Sequence, residues 1–533
     1  MIRINQIKLP LDAGEEQLPV LAAKLLRIAP SSIEEWHIHK KAVDARKKQD
    51  VHFVYSIDLR TGGNEEKLLR RLKGDKAQIV REKMLELPAC DQPAVSPVVV
   101  GFGPAGMFAA LALARMGLRP VVIERGRPAD ERIRAVEDFW LRGKLQPENN
   151  VQFGEGGAGT FSDGKLTTGT KSPYIPYILR ELADCGGGRE ILYDAKPHIG
   201  TDRLVKVVAE IRRRICAAGG QVLFSHKLCG FKTKNGVLSA IEAETEGGVV
   251  EIPCSCCILA LGHSARDTME MLLKQGIELC PKAFAMGVRI EHSQEFIDAA
   301  QYGAFAGHPA LPAADYKMAI HLPGGHTAYT FCMCPGGQVV AAASEEGGVV
   351  TNGMSLAARD GVNANSALLI SLTPADFPGN GDPLAGMYWQ RQIEQTCFKM
   401  AGSTYEAPAQ LAADLLDKRP SQRCGEIMPS YRPGVRYGSL DDALPSLITD
   451  NLRQGLVAMD KLIRGFAGND AVLTGPETRS SSPVRMARDG DCRTSVQGLC
   501  CCGEGAGYAG GIMSSAADGM KCALAAAKNL AER

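Results

Sequence analysis

One segment limits the fold more than any other. Val98-Val99-Val100 is an unbroken β-branched run, followed by Gly101-Phe102-Gly103-Pro104-Ala105-Gly106, an alanine- and leucine-rich stretch to Met116, and Val121-Val122-Ile123-Glu124. A strand without polar alternation is the kind buried on both faces of a parallel sheet. The order strand, glycine turn, apolar helix, strand is that of a βαβ unit that binds a dinucleotide. Gly101 permits the tight turn, Gly103 lets backbone approach a pyrophosphate, and Gly106 lets the helix pack closely on the strand. The helix start offers unpaired N–H groups and the positive end of its dipole to the phosphates. Glu124 is placed to accept hydrogen bonds from an adenosine ribose, and an acid there disfavours a 2′-phosphate.

The expression G-x-G-x-x-G occurs twice more. Gly154-Glu155-Gly156-Gly157-Ala158-Gly159 runs into TFSDGKL with no apolar helix behind it. Gly505-Ala506-Gly507-Tyr508-Ala509-Gly510 does precede a helix, Ile512 to about Leu530, but the chain stops at Arg533 and no second strand or ribose acid follows. This third match is expected to be the last strand–helix unit of the domain opened at Val98, which makes that domain discontinuous.

Length and composition set the class. At about 150 residues per domain, 533 residues give three or four domains. Lys+Arg 61 against Asp+Glu 60 leaves a net charge of +1, with no global field to hold nucleic acid or an anionic membrane. With 45% hydrophobic and 23% charged residues, disordered and fibrous classes are excluded. The start MIRINQIKLPLDAGEE lacks the basic head and apolar run of a secretion signal, so a cytoplasmic location is expected. The uncharged stretch Gln92 to Ala114 is long enough to cross a bilayer. Its Pro93, Pro97, Gly101, Gly103, Pro104 and Gly106 describe strand, turn and helix instead, and no membrane span is expected.

The 17 cysteines read as reduced thiols acting as small hydrophobes. Cys254 and Cys257 fit C-x-x-C but lie in IPCSCCILALG, a buried strand on which residues three apart face opposite sides, so neither a disulfide nor a metal site is expected there. Cys332 and Cys334 would share one strand face and stay open as redox candidates. A C-x-C disulfide closes a strained ring, which argues against a thiol relay.

Residues 1 to about 90 form a distinct unit with the pattern β-α-β-β. IRINQIKLPL reads as a strand, EEQLPVLAAKLLRIA as a helix with Leu18, Ala22, Leu25 and Leu26 on one face, and Val51, Phe53, Tyr55, Ile57 and Leu59 alternate with their neighbours as a strand. The basic residues Lys40, Lys41, Arg46, Lys47 and Lys48 read as a solvated hairpin, since aromatics interleaved for base stacking are missing apart from Trp36. A Pro-bearing linker, 87–97, follows, and the unit is expected to be separable in folding. From about Phe284 to Gly465 the βα rhythm breaks, with strand candidates at 285–291, 329–334 and 339–343, which describes an inserted second domain.

Taken together, VVVGFGPAGMFAALALARMGLRPVVIERG, NVQFGEGGAGTFSDGKLTTGTKS, LALGHSARDT, FAMGVRIEH, YTFCMCPGGQVVAAASEEGGVVTNGMS, DAVLTGPETRSSSPVR and GEGAGYAGGIMSSAADG resemble the bacterial family of uncharacterised FAD-dependent dehydrogenases, within the glutathione-reductase-like flavoproteins. The resemblance covers nearly the whole chain, and the N-terminal unit resembles the extra domain this family carries. It implies an α/β fold: a discontinuous Rossmann-like FAD-binding domain, an inserted α+β substrate domain and a small N-terminal ferredoxin-like domain. The expected bounds are 1–90 for the N-terminal domain, 96–275 and 470–533 for the two parts of the FAD-binding domain, and 276–469 for the insert.

By the same resemblance, Gly101, Gly103, Pro104, Ala105 and Gly106 hold the pyrophosphate of FAD, and Glu124 the ribose with Arg125 beside it. The loop of Gly156, Gly157, Thr160, Ser162, Asp163, Gly164 and Lys165 runs along the flavin face. Gly262 lies in the turn leaving the nucleotide domain. Gly503 and Glu504 reach the ribityl or phosphate region, where related proteins place an Asp. N–H groups of Gly510, Gly511 and Ile512 point at the flavin ring, where negative charge develops on reduction. Arg479, beside a hydroxyl run, and Arg289 are the candidate substrate residues, each with a bland alternative as capping, surface charge or an exposed strand face. His263 is either a turn-capping side chain or an acid. No catalytic residue and no metal site is assigned.

The expected function is an FAD-dependent oxidoreductase that exchanges a hydride directly between flavin and a small organic substrate, without a cysteine intermediate. NAD(P)H is a candidate transient reductant that would bind without a fingerprint of its own. Two alternatives stay open: a flavoprotein acting on RNA through its basic N-terminal hairpin, and a non-catalytic flavin-binding redox sensor. Neither a nucleic-acid nor a membrane partner is expected, and the sequence does not fix an oligomeric state.

Overall fold

A computed structural model of the chain describes every residue except 64, 70–75, 82–84, 380 and 533. Four strands open the chain in the spatial order Ile33–Asp44, His52–Thr61, Ile2–Pro10, Ala77–Ile79, the order of a split βαβ unit. The helix Leu18–Leu26 covers one face through Leu18, Ala22, Ala23 and Leu26. Leu25, expected on that face, is 37% exposed. The spacing of four between 18, 22 and 26 defines the buried stripe and leaves 25 at its edge. The unit is docked on the rest of the protein by backbone bonds, Lys41 N–H to Tyr193 O and Ala195 N–H to Lys41 O, both 2.8 Å. Its core is also continuous with that of the seven-stranded layer described below. Within the basic hairpin, Lys41 pairs with Glu15 and Arg46 with Asp44.

The second layer is a five-stranded sheet, all of its pairings parallel, in the order Leu499–Cys501, Cys257–Leu259, Val98–Val100, Val121–Ile123, Gln221–Leu223. Val98, Val99 and Val100 are all buried, as an all-apolar central strand requires. The helix Pro104–Arg115 behind it buries every residue from Ala105 to Ala114. Against it lies the helix Ile512–Ala531, so close that a Cβ on Gly519 would stand 2.1 Å from Ala105 O. The last 35 residues thus close a sheet whose first strand lies four hundred residues upstream. Cys254 precedes the strand at 257 rather than lying on it, and both thiols join the same apolar cluster. Alternation along a strand therefore does not separate them, yet burial pushes Cys254 up to about 12 and Cys257 well above the ordinary thiol range, which keeps both inert.

The third layer is a seven-stranded mixed sheet in the order Ala319–His321, Thr327–Cys334, Asn363–Leu372, Phe284–Ser293, Val472–Glu477, Ala407–Leu411, Val435–Tyr437. The chain enters and leaves it through a two-stranded ribbon, Leu279–Pro281 against Val484–Met486. The boundary expected at 469/470 is therefore displaced. Val472–Glu477 is held by ladder bonds between Phe284–Ser293 and Ala407–Leu411, so the return to the parallel sheet falls at the ribbon. The candidate strand at 339–343 is the short Gln338–Ala341, paired with Thr351–Met354 outside the large sheet. Among the described residues, no helix is long and apolar enough to cross a membrane.

Candidate active site

The carboxyl ends of the parallel strands and one face of the seven-stranded sheet enclose a cleft of about 1220 Å³. Such crevices outside the strand ends are where open α/β sheets bind ligands. The glycine turn forms one wall, and its three glycines serve different ends. Gly101 has φ +97, and a Cβ on it would stand 2.4 Å from Ala260 O. A Cβ on Gly106 would stand 1.9 Å from Gly101 O, so this glycine serves helix packing and does not line the cleft. Gly103 has an ordinary φ of −78, and a Cβ there would meet nothing nearer than Gly157 Cα at 3.7 Å. The protein's own packing does not require a glycine at 103, whereas a ligand lying against the helix start does.

Glu124 lines the cleft and accepts three backbone N–H bonds, from Phe102 (2.8 Å), Gly126 (2.9 Å) and Gly154 (2.9 Å). It thereby ties the glycine turn to the loop at 154, beyond the role expected of it. Arg125 beside it stacks on Phe153, 4.0 Å from the ring centre, and is held by Glu148 and Asp267. The loop 150–155 is clamped from behind by Arg132, which is fully buried and donates to the carbonyls of Asn150, Val151 and Glu155 at 2.7–2.8 Å. Burial lowers Arg132 to about 9, against the opposing pull of Glu124 and Glu155.

Of the expected flavin-face loop, Gly157, Ser162, Gly164 and Lys165 line the cleft, and Gly156, Thr160 and Asp163 do not. A Cβ on Gly156 would meet Thr160 Oγ1, and Thr160 donates to Glu155 O at 3.1 Å, so these two hold the turn itself. Asp163 is fully buried and pairs with Arg359 and Ser355. Burial works to raise its pKa, and Arg359 and Lys165 outweigh it to hold the carboxylate below its usual range.

Pro104, Ala105, Gly262, Gly503, Glu504, Gly510, Gly511 and Ile512 also all line the cleft. A Cβ on Gly262, Gly510 or Gly511 would meet nothing within 4 Å. The N–H of Gly510 is engaged by Ser514 Oγ at 3.1 Å, which leaves the first helical turn from Ile512 to face a ligand. Glu504 lies 3.5 Å from His263 Nδ1, and His263 Nε2 is buried without a hydrogen-bond partner among the described residues. Asp518, which the sequence did not single out, accepts the N–H of Gly503 at 2.8 Å and pairs with Arg488.

The two candidate substrate arginines are already committed. All five donors of Arg289 are used: Nε and one Nη2 hydrogen toward Glu477, the other toward Asn352, and Nη1 toward Cys332 O and Asn365. It is fully buried and does not line the cleft, so it grips no substrate directly. Arg479 does line the cleft, but its guanidinium is bound to Glu394 and Ser344. The groups that Arg289 organises, Cys332 and Glu477, do reach the cleft. Burial pushes Glu477 up to about 7, against the pull of Arg289. That places a proton-exchanging carboxyl at the cleft near neutral pH. In sequence Arg289, Cys332 and Glu477 carry no mutual spacing signal, because they come from three different strands.

A dinucleotide-type turn, a second helix N-terminus beside it and a sheet-lined cleft define the class, an α/β protein with a ligand-sized cleft between two layers. The chain belongs to the family of an uncharacterized protein of Clostridium beijerinckii, to which it is 46% identical over 528 residues, 98% of each chain. Residues 283–480, the span between the two ribbon strands, match the family described as FAD-dependent protein, C-terminal domain-like, and residues 1–60 match a domain of unknown function. Solved structures similar to the chain include a geranylgeranyl bacteriochlorophyll reductase-like protein from Thermoplasma acidophilum, 13% identical over 81% of this chain and 78% of that one with a TM-score of 0.37. Another is a flavoprotein/dehydrogenase from Cytophaga hutchinsonii, 12% identical over 82% and 79% with a TM-score of 0.35. A mutant of E. coli quinol fumarate reductase is 11% identical over 83% and 70%, also with a TM-score of 0.35.

Proposed function

We propose that the protein is an FAD-dependent oxidoreductase of the glutathione-reductase-like flavoproteins, exchanging a hydride between flavin and a small organic substrate in the cytoplasm. The observation that carries this reading is Gly103, a glycine the fold does not need, at a helix start facing a cleft that Glu124 also lines. FAD would supply a two-electron acceptor that takes a hydride at its ring. The helix start at Pro104 would hold the pyrophosphate and Glu124 the ribose. The open glycines Gly510 and Gly511 would let the ring lie against the start of the helix Ile512–Ala531, whose dipole favours an added negative charge. The seven-stranded sheet walls the far side of the cleft, and Glu477 would hold or release a proton beside the substrate. NAD(P)H is proposed as one reductant, entering the cleft without a domain of its own.

The test is to release the bound flavin by heat, identify it by chromatography, and then screen reductants and acceptors anaerobically on the holoprotein. FAD in near-stoichiometric amount together with reduction by an organic donor or NAD(P)H is the expected result. A protein that purifies without flavin, or with FMN, would overturn the reading.

A further inference from the structure

We propose that Cys332 and Cys334 form a dithiol–disulfide pair at the cleft through which the bound flavin exchanges two electrons with a small or protein-borne dithiol. The proposal rests on the flavin reading above and adds to it a second electron route.

The strand Thr327–Cys334 pairs regularly with Asn363–Leu372 as far as Phe331 opposite Ala367, and the next pair is Cys334 opposite Asn365. One extra residue is therefore accommodated in a bulge, and Cys332 sits in it with φ +45. Left-handed backbone is uncommon for a residue with a side chain, and bulges of this kind re-aim a side chain next to functional sites. In a regular strand two residues apart lie on one face at about 6.8 Å, the far limit for a disulfide. Here the Cys334 thiol donates to Cys332 O at 3.2 Å, which turns it back toward its neighbour in the bulge.

Both peptides of the bulge are held by cations. Arg289 donates to Cys332 O at 2.9 Å, and Lys165, from the glycine-rich loop, donates to Met333 O. Of the 17 cysteines, Cys332 is the one that lines the cleft among the described residues, and Cys334 is buried behind it. The Cys334 hydrogen bond, with Arg289 and Lys165 acting against burial, holds the Cys332 thiol well below its ordinary range, whereas Cys334 is raised well above it. An accessible thiolate backed by a buried thiol is the arrangement of an attacking and a resolving cysteine. The ring strain that seemed to speak against C-x-C acts in favour of a relay, because strained disulfides are the readily reduced ones.

The step balances. The Cys332 thiolate and the Cys334 thiol would lose two electrons to oxidised flavin and form one S–S bond, and the proton from Cys334 would pass to the flavin, which takes up one proton with the two electrons. In the return step a thiolate of the external dithiol attacks Cys332 Sγ and the S–S bond breaks. Cys334 departs as thiolate and takes a proton, and the carrier's second thiol closes the carrier disulfide, freeing Cys332.

The experiment is an anaerobic titration of the holoprotein with dithiothreitol, following the flavin's visible band, with parallel alkylation and peptide mass mapping. The expected result is uptake of two electron pairs per flavin by the parent, with bleaching of its flavin band, and no bleaching by dithiothreitol in Cys332→Ser or Cys334→Ser, with iodoacetamide labelling of Cys332 in the parent absent before reduction and complete after it. Mass mapping of the parent does not depend on the variants folding. If Cys332 and Cys334 remain free thiols in the oxidised, FAD-containing protein across a series of thiol–disulfide buffers, the proposal is overturned while the flavin reading stands. A protein without flavin overturns the flavin reading first.

Discussion

Arg266 and Glu394 meet face to face, with Nη1 and Nη2 each 2.8 Å from a carboxylate oxygen and both side chains 1% exposed. Arg266 starts a helix of the parallel-sheet layer, Glu394 lies on a helix of the insert, and Arg479 binds the same carboxylate from a second side. Burial alone would raise the Glu394 pKa, and the two arginines outweigh it and keep it ionised. Replacing Glu394 by Ala leaves two buried guanidiniums to share Glu345, which lies 2.7 Å from Arg266 and 4.0 Å from Arg479. The expected cost is about 3–5 kcal/mol, the range for breaking a buried pair by removing one partner. Urea denaturation of the purified variant checks it, and a change under 1 kcal/mol would mean that the pair is hydrated in solution.

Gly103 and Gly106 separate binding from folding. Gly103→Val places a side chain toward the cleft where the protein offers no clash, so a soluble chain with unchanged circular dichroism and no bound flavin is expected. Gly106→Val meets the carbonyl of Gly101 and should fail to give soluble protein. Full flavin content in Gly103→Val would remove the glycine turn from the binding site.

The carboxyl of Glu477 gives a pH signature. With its folded pKa raised to about 7, it keeps a proton that the unfolded chain gives up near the ordinary value of about 4.3. Its contribution to stability is present below the unfolded pKa and is lost as pH rises through about 7. The slope is at most about 1.4 kcal/mol per pH unit between those values. Glu477→Gln should remove that slope, so the difference between parent and variant in stability against pH is the quantity to measure. A difference independent of pH would place the Glu477 pKa near its unfolded value.

The C-terminal strand and helix are expected to be indispensable. A chain ending before Cys500 loses the edge strand Leu499–Cys501 and the helix packed on Pro104–Arg115. Loss of flavin and of soluble yield is the outcome anticipated from expression trials, and a soluble, flavin-containing truncation would contradict it.

Much of the parallel-sheet layer was legible from residues that are neighbours in the chain. A valine run, a glycine turn and an alanine-rich helix each act through contacts within about ten residues, so the βαβ unit at 98–124 and the open glycines at 510 and 511 could be read without a fold. Gly156, Thr160 and Asp163 stand back from the cleft because the direction a loop residue takes depends on what packs behind it, here Val208, Ser355 and Arg359. The partners of Arg289 come from as far as 188 residues away in sequence, and those of Arg479 from as far as 135. Whether an arginine is free for a substrate is decided by those partners, not by its own motif. The bulge at Cys332 likewise exists only against the strand Asn363–Leu372. The sequence by itself determined the local chemistry of a dinucleotide turn, whereas long-range strand pairing decided which charged and thiol groups face the cleft, because register between distant strands has no signature in either strand alone.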